Sequence, residues 1–151
     1  MSKQALFFFG EALSGSPCFD SKEADFMAND TNNFKVSEFA CKHCGENKIH
    51  QDVIDMAQAI RDELGVPIKV NSGYRCEVHN KKVGGVKGSR HTKGHAADLS
   101  SSVGTKAMFR AIQKLHKNGK LPMLGYCICY PSFCHVDIDK RASGNLWEIR
   151  K

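Results

Sequence analysis

The stretch from residue 88 to 99, G-S-R-H-T-K-G-H-A-A-D-L, constrains this chain more than any other. It sets His91 seven residues ahead of Asp98, with Ser89, Gly94 and Ala97 between or beside them. A second stretch, Phe133-Cys134-His135-Val136-Asp137, answers it downstream. Two imidazoles and a carboxylate from separated segments are the donor set of a catalytic zinc, where three protein ligands leave a fourth position for water. Such donors converge at about 2.0–2.2 Å from the ion, so the fold has to hold the two stretches rigidly together. In a strand His135 and Asp137 share a face, because residues two apart point the same way. Asp137 can then orient a water or an imidazole without being a ligand. Cys134 points away from His135 and falls outside the donor set. Gly94 lets the intervening loop fold back, and Ala96 and Ala97 keep bulk away from it.

The remaining chain supplies the scaffold. Ile49, Val53, Ala57, Ile60 and Leu64 recur at three- and four-residue steps, which predicts an amphipathic helix over about 49–64 with Gly65 as its stop and Pro67 beyond. A second helix is predicted over 105–117, with Ala107, Ala111 and Leu115 on one stripe beside Met108 and Ile112, ended by Asn118-Gly119. A shorter one is read over 77–83. Strands are predicted at 68–70, 96–99, 124–129, 133–139 and 146–149, the third and fourth joined by a hairpin-like Tyr130-Pro-Ser132 connection. Helices mixed with a small, mainly antiparallel sheet make the fold class α+β. Residues 1–33 form an N-terminal arm, with one or two helical turns at 21–28 and a polar loop at 29–33. Residues 34–151 form the domain that carries the donors.

The chain has 151 residues, most simply one domain, and is long enough for a core without disulfide staples. Its seven cysteines are odd in number and suit a reducing compartment at synthesis. Cys127 and Cys129 read as core thiols. The pair Cys41-Lys-His-Cys44 has the spacing of half a zinc site, and Cys76 could join it; without a matching second pair the signal is weak, and packed or incidentally paired thiols are the favoured account. No apolar run approaches the length of a membrane span. The short run at 5–9 is broken by Gly10 and Glu11, so no clear signal peptide is read. The net charge of +6 favours an anionic partner such as nucleic acid, a membrane surface or an acidic wall polymer. Lys81, Lys82, Lys87, Arg90 and Lys93 cluster near the donors, but no aromatic-interleaved motif accompanies them, which argues against nucleic acid.

The ordered pattern Ser89-x-His91-x-x-Gly94-x-Ala96-x-Asp98 with Phe133-x-His135-x-Asp137 resembles the zinc D-alanyl-D-alanine carboxypeptidase family. That family includes bacteriophage and bacterial peptidoglycan endopeptidases and shares its fold with hedgehog signalling domains. Ser37-Glu-Phe-Ala-Cys41, Asn71-Ser-Gly-Tyr-Arg75-Cys76, His79-Asn80, Val83-Gly-Gly85 and Trp147 extend the likeness over residues 34–147. The resemblance implies one catalytic zinc ion held by His91, Asp98 and His135. It implies that Arg75 binds a substrate carboxylate, the alternative being a structural ion pair. Ser89 binds substrate or stabilises the ligand loop. Many members place an acidic base three residues before the last histidine, where this chain has Ser132. The base role then falls to Asp137, the alternative being a carboxylate that fixes His135. Glu77 and Asp139 are further candidates, and His95 is a candidate oxyanion donor. The function implied is hydrolysis of peptidoglycan stem peptides or cross-links by a monomer, made without a clear signal peptide and acting in the periplasm or wall, with phage delivery as one route. The competing expectation is a catalytically weak wall-peptide-binding or phage structural module of the same fold.

Overall fold

The computed structural model describes residues 28–151. The arm expected at 1–33 therefore lies largely outside the described residues, including all but the last residue of the helical turns expected at 21–28. Three helices and five strands follow: α1 (Gln51–Leu64), β1 (Ile68–Ser72), α2 (Glu77–Lys82), β2 (Ala96–Ser101), α3 (Thr105–Lys117), β3 (Tyr126–Cys129), β4 (Cys134–Asp137) and β5 (Trp147–Ile149). Two short 3-10 turns, Val36–Phe39 and Arg90–Lys93, punctuate the loops.

The helical periodicity is honoured closely. His50 caps α1, its Nδ1 accepting from the Asp52 N–H at 3.1 Å. Gly65 ends the helix in the left-handed region at φ 69°, where a residue without Cβ carries no steric penalty. The buried face is Val53, Ile54, Met56, Ala57 and Ile60. α3 buries Met108, Phe109, Ala111, Ile112 and Leu115. Both helices pack on each other and on one face of the sheet. Fully burying an aliphatic side chain such as Ile60 or Ile112 is worth roughly 1.5–3 kcal/mol, so these stripes fix the helix layer.

The strand order is β1-β2-β4-β3-β5. β1–β2, β2–β4 and β4–β3 are antiparallel, and β5 joins β3 in parallel, an exception to the expected antiparallel pattern. Alternation divides the residues between two faces. Ala97, Leu99, Cys127, Cys129, Cys134 and Val136 face the helices and belong to the core. Asp98, Ile128, His135 and Asp137 therefore take the opposite face. The register sets Asp98 directly opposite His135, and His135 opposite Ile128. The donors meet because β2 and β4, distant in the chain, are neighbours in the sheet.

Candidate metal centre and cleft

His91 comes from the 3-10 turn, Asp98 from β2 and His135 from β4. Ser89 caps that turn, its Oγ accepting from the His91 N–H at 3.2 Å. Gly94 closes the turn at φ 74°, and its carbonyl accepts from the His50 N–H at 2.8 Å. A Cβ on Gly94 would lie 1.8 Å from the Lys48 carbonyl oxygen, so the expected fold-back needs glycine for space as well as for φ. A backbone carbonyl aims the His91 ring. Its Nδ1 lies 2.8 Å from the Gly73 carbonyl oxygen, which only accepts, so Nδ1 carries the proton and Nε2 is left for the cluster.

Nε2 of His91 is 3.3 Å from Asp98 Oδ1, and Nδ1 of His135 is 3.0 Å from the same oxygen. One ligand atom from each residue lies within 4.8 Å of the other two. Two imidazole nitrogens and a carboxylate oxygen, converging from three rigid segments, fit a borderline divalent cation such as zinc. His91 is 3% exposed, so the centre is lined by protein on its inner side. Burial works against the charge on Asp98, but hydrogen bonds from His135 and His91 outweigh it and hold the carboxyl below its ordinary range.

Asp137 stands behind His135. Its Oδ2 accepts from His135 Nε2 at 2.9 Å and from Arg141 Nη2 at 2.9 Å. Its Oδ1 accepts from the Asp139 N–H at 3.1 Å and from Arg141 Nη1 at 3.2 Å. A carboxylate has about four lone-pair sites, and all are used. The residue is wholly buried. With every acceptor site engaged, this arrangement matches a carboxylate that fixes His135, the alternative role read for Asp137 beside that of base. Burial alone would lower the His135 pKa; bonds to Asp137 and Asp98 more than offset that and raise it to about 9. Arg141, which clamps Asp137 and lies 4.1 Å over the Tyr126 ring, is a residue that sequence reasoning missed. It sits in the loop after β4, where no periodicity marks it.

The centre opens into a cleft of about 440 Å³ lined by Arg75, Ser89, Arg90, Tyr130, Phe133, Arg141 and Arg150, with His91, Asp98, His135 and Asp137 also contributing. Among the described residues, Asp98 and Asp137 are the only carboxylates of that lining. Arg75 reaches it with Nη2 3.9 Å from Asp98 Oδ2, while Nη1 donates to Asn80 Oδ1 at 3.1 Å. Its Nε is buried without a partner among the described residues, and burial lowers its pKa despite Asp98 nearby. Tyr130 stacks on Phe133 and accepts from Arg150 at its hydroxyl. Asp139 is occupied by His95 at 2.8 Å and Arg90 at 3.2 Å. His95 does not line the cleft. Cys134 sits in the core, away from the donors.

The comparisons agree with this geometry. Over 69 residues the chain is 41% identical to the zinc D-Ala-D-Ala carboxypeptidase of Streptomyces albus G. That match covers 45% of this chain and 26% of the relative, so the likeness spans about a quarter of that protein's length. The model of the peptidase M15 family matches residues 27–137, a span that takes in all three donors, Arg75, Ser89 and Asp137. With most of its length inside that match, this chain belongs to the peptidase M15 family.

Proposed function

We propose that this chain is a zinc-dependent peptidase that hydrolyses peptide bonds in peptidoglycan stem peptides or their cross-links. The observation that carries the reading is the meeting of His91, Asp98 and His135 at the floor of a cleft that Arg75 enters. Zinc held by these three side chains would supply acidified water and polarise a scissile carbonyl. Ser89 stabilises the turn that presents His91. Asp137, with Arg141, holds the His135 ring in one tautomer and orientation. Arg75 grips a substrate carboxylate, with its buried, unpartnered Nε as support. A guanidinium can pair with a carboxylate through two parallel N–H donors, and stem peptides offer such groups. The basic balance of the chain suits an anionic wall, in the periplasm or outside it, for a bacterial wall enzyme or a phage endolysin alike.

One observation favours a second reading, a wall-peptide-binding module with weak or no turnover. Both carboxylates of the cleft are engaged, and Ser132 stands where an acidic base is common in the resembling family. Digestion of purified peptidoglycan, followed by mass analysis of the fragments, separates the two. New termini that vanish with a chelator and in His91→Ala support the peptidase. Saturable binding of stem peptides with no new fragments establishes the binding module instead. Amidating the substrate carboxylate should raise KM at least tenfold in the native enzyme and have little effect in Arg75→Gln.

A further inference from the structure

Next to the cleft lies a second set of metal-type donors that the peptidase reading leaves unused. The sulfurs of Cys41, Cys44 and Cys76 lie within 4.8 Å of one another. They sit with Tyr74 in a small cluster separate from the main core. Imidazoles flank them. His79 Nδ1 is 3.6 Å from Cys41 Sγ, and His43 Nδ1 is 3.7 Å from Cys76 Sγ. The C-x2-C pair that lacked a partner in the sequence acquires one in the fold, Cys76-x-x-His79 at the start of α2. Gly45, at φ 80°, closes the first turn, with its N–H donating to the Cys41 carbonyl at 2.9 Å. Cys76 caps α2.

Backbone donors already point at two of the sulfurs. The Cys76 N–H reaches Cys41 Sγ at 3.4 Å, and the His79 N–H reaches Cys76 Sγ at 3.3 Å. Such donors favour the thiolate, the form that ligates metal.

We propose that Cys41, Cys44, Cys76 and His79 bind a structural zinc ion, distinct from the one expected at His91, Asp98 and His135. Three thiolates and one imidazole make a soft, closed, four-donor set, which selects zinc and leaves no open position for substrate. The chosen fourth donor is His79, because it lies one helical turn from Cys76 on a regular element. The consequence reaches the cleft. Gly73, whose carbonyl aims His91, and Arg75 both precede Cys76 by a few residues. A Cβ on Gly73 would come within 2.6 Å of the Phe39 carbonyl oxygen, so this segment is pressed against the chain that leads into Cys41. A metal tying 41–44 to 76–79 would hold that contact closed and keep His91 and Arg75 in place.

The test needs no peptidase assay, so its failure is separable from failure of the proposed function. The full chain, purified under reducing conditions, should carry two zinc equivalents by elemental analysis. Replacement by cobalt(II) should produce a sulfur-to-metal charge-transfer band, which the nitrogen and oxygen donors of the other centre cannot give. His91→Ala should lose one equivalent and keep the band. Cys41→Ser combined with Cys76→Ser should lose the band. Should that variant fail to fold, alkylation of the native protein substitutes for it: Cys41, Cys44 and Cys76 should be protected until a chelator is added. His79→Ala should weaken the band and His43→Ala leave it; the reverse would overturn the assignment of His79. A single equivalent with no sulfur band, or a disulfide joining any two of the three cysteines, would overturn the proposal.

Discussion

Asp137 has as many hydrogen-bond donors as it has lone pairs, and this sets the two roles read for it, base and anchor of His135, against each other. A base must accept a proton that arrives from water, yet here every acceptor site faces His135, Arg141 or the Asp139 N–H. As the anchor of His135, the residue would act on the metal centre through that ring. Asp137→Asn keeps the shape but removes the charge that favours this ring orientation. It should lower metal affinity roughly 10- to 100-fold, the usual effect of losing a carboxylate behind a ligating histidine. Metal titration of the purified variant reads this directly. Unchanged affinity with turnover reduced by roughly 10²–10⁴ would restore the base role. The same ring makes metal uptake depend on pH. In the metal-free chain His135 donates from both nitrogens to carboxylates and holds its proton up to about pH 9. A ligand nitrogen must give that proton up. Apparent affinity should therefore rise with pH, approaching tenfold per unit, and level off above about 9. A flat profile between pH 7 and 9 would contradict this linkage.

The loop between the 3-10 turn and β2 shows how an element makes the site. Gly94 sits in the left-handed region and against the Lys48 carbonyl, so Gly94→Ala meets both strain and a backbone clash. The left-handed backbone alone costs roughly 1–2 kcal/mol for a residue with a Cβ. The clash adds to it, and the unfolding free energy from denaturant titration should fall by more than about 2 kcal/mol, with metal content reduced. Gly119→Ala is the matched control, since Gly119 has φ 73° but nothing within 4 Å of a built Cβ. It should cost no more than about 1–2 kcal/mol. Equal losses in the two variants would show that contact with Lys48 is not what Gly94 avoids. Much of this architecture could be read in advance. α1 and α3 carry helical stripes, their glycine stops are explicit, and His91, Asp98 and His135 stood out by type and spacing. The parallel pairing of β5 was hidden, because a three-residue strand carries no sign of its neighbour. Arg141 was hidden for a related reason: a loop residue's partner is chosen by the tertiary path. Cys76 and His79 could be grouped with Cys41 and Cys44 only once α2 had been set beside the Cys41 turn.

At the scale of the molecule, the centre joins the 3-10 turn, β2 and β4, so loading it ties together segments far apart in the chain. Metal that binds only the folded form at about a hundred times its dissociation constant adds about 2.7 kcal/mol. For a domain of this size that corresponds to a Tm shift of about 10 °C. The metal-free fold has a substitute for that cation. Protonated His135 stands between Asp98 and Asp137 and carries positive charge where the two carboxylates need it. Its folded pKa, about 9, exceeds the ordinary value of 6.5. The stability it contributes is complete below about 6.5 and disappears as pH rises through about 9. Loaded protein has already exchanged that proton for metal and does not suffer the same loss. The difference in Tm between loaded and chelated protein should therefore widen from pH 7 to pH 10. His135→Gln has no such proton, and its difference should not widen, even though chelation strips any metal held by the cysteine cluster in both proteins. Paired thermal scans across that range test the argument, and a constant difference in the native chain would show that the His135 proton does not stand in for the ion.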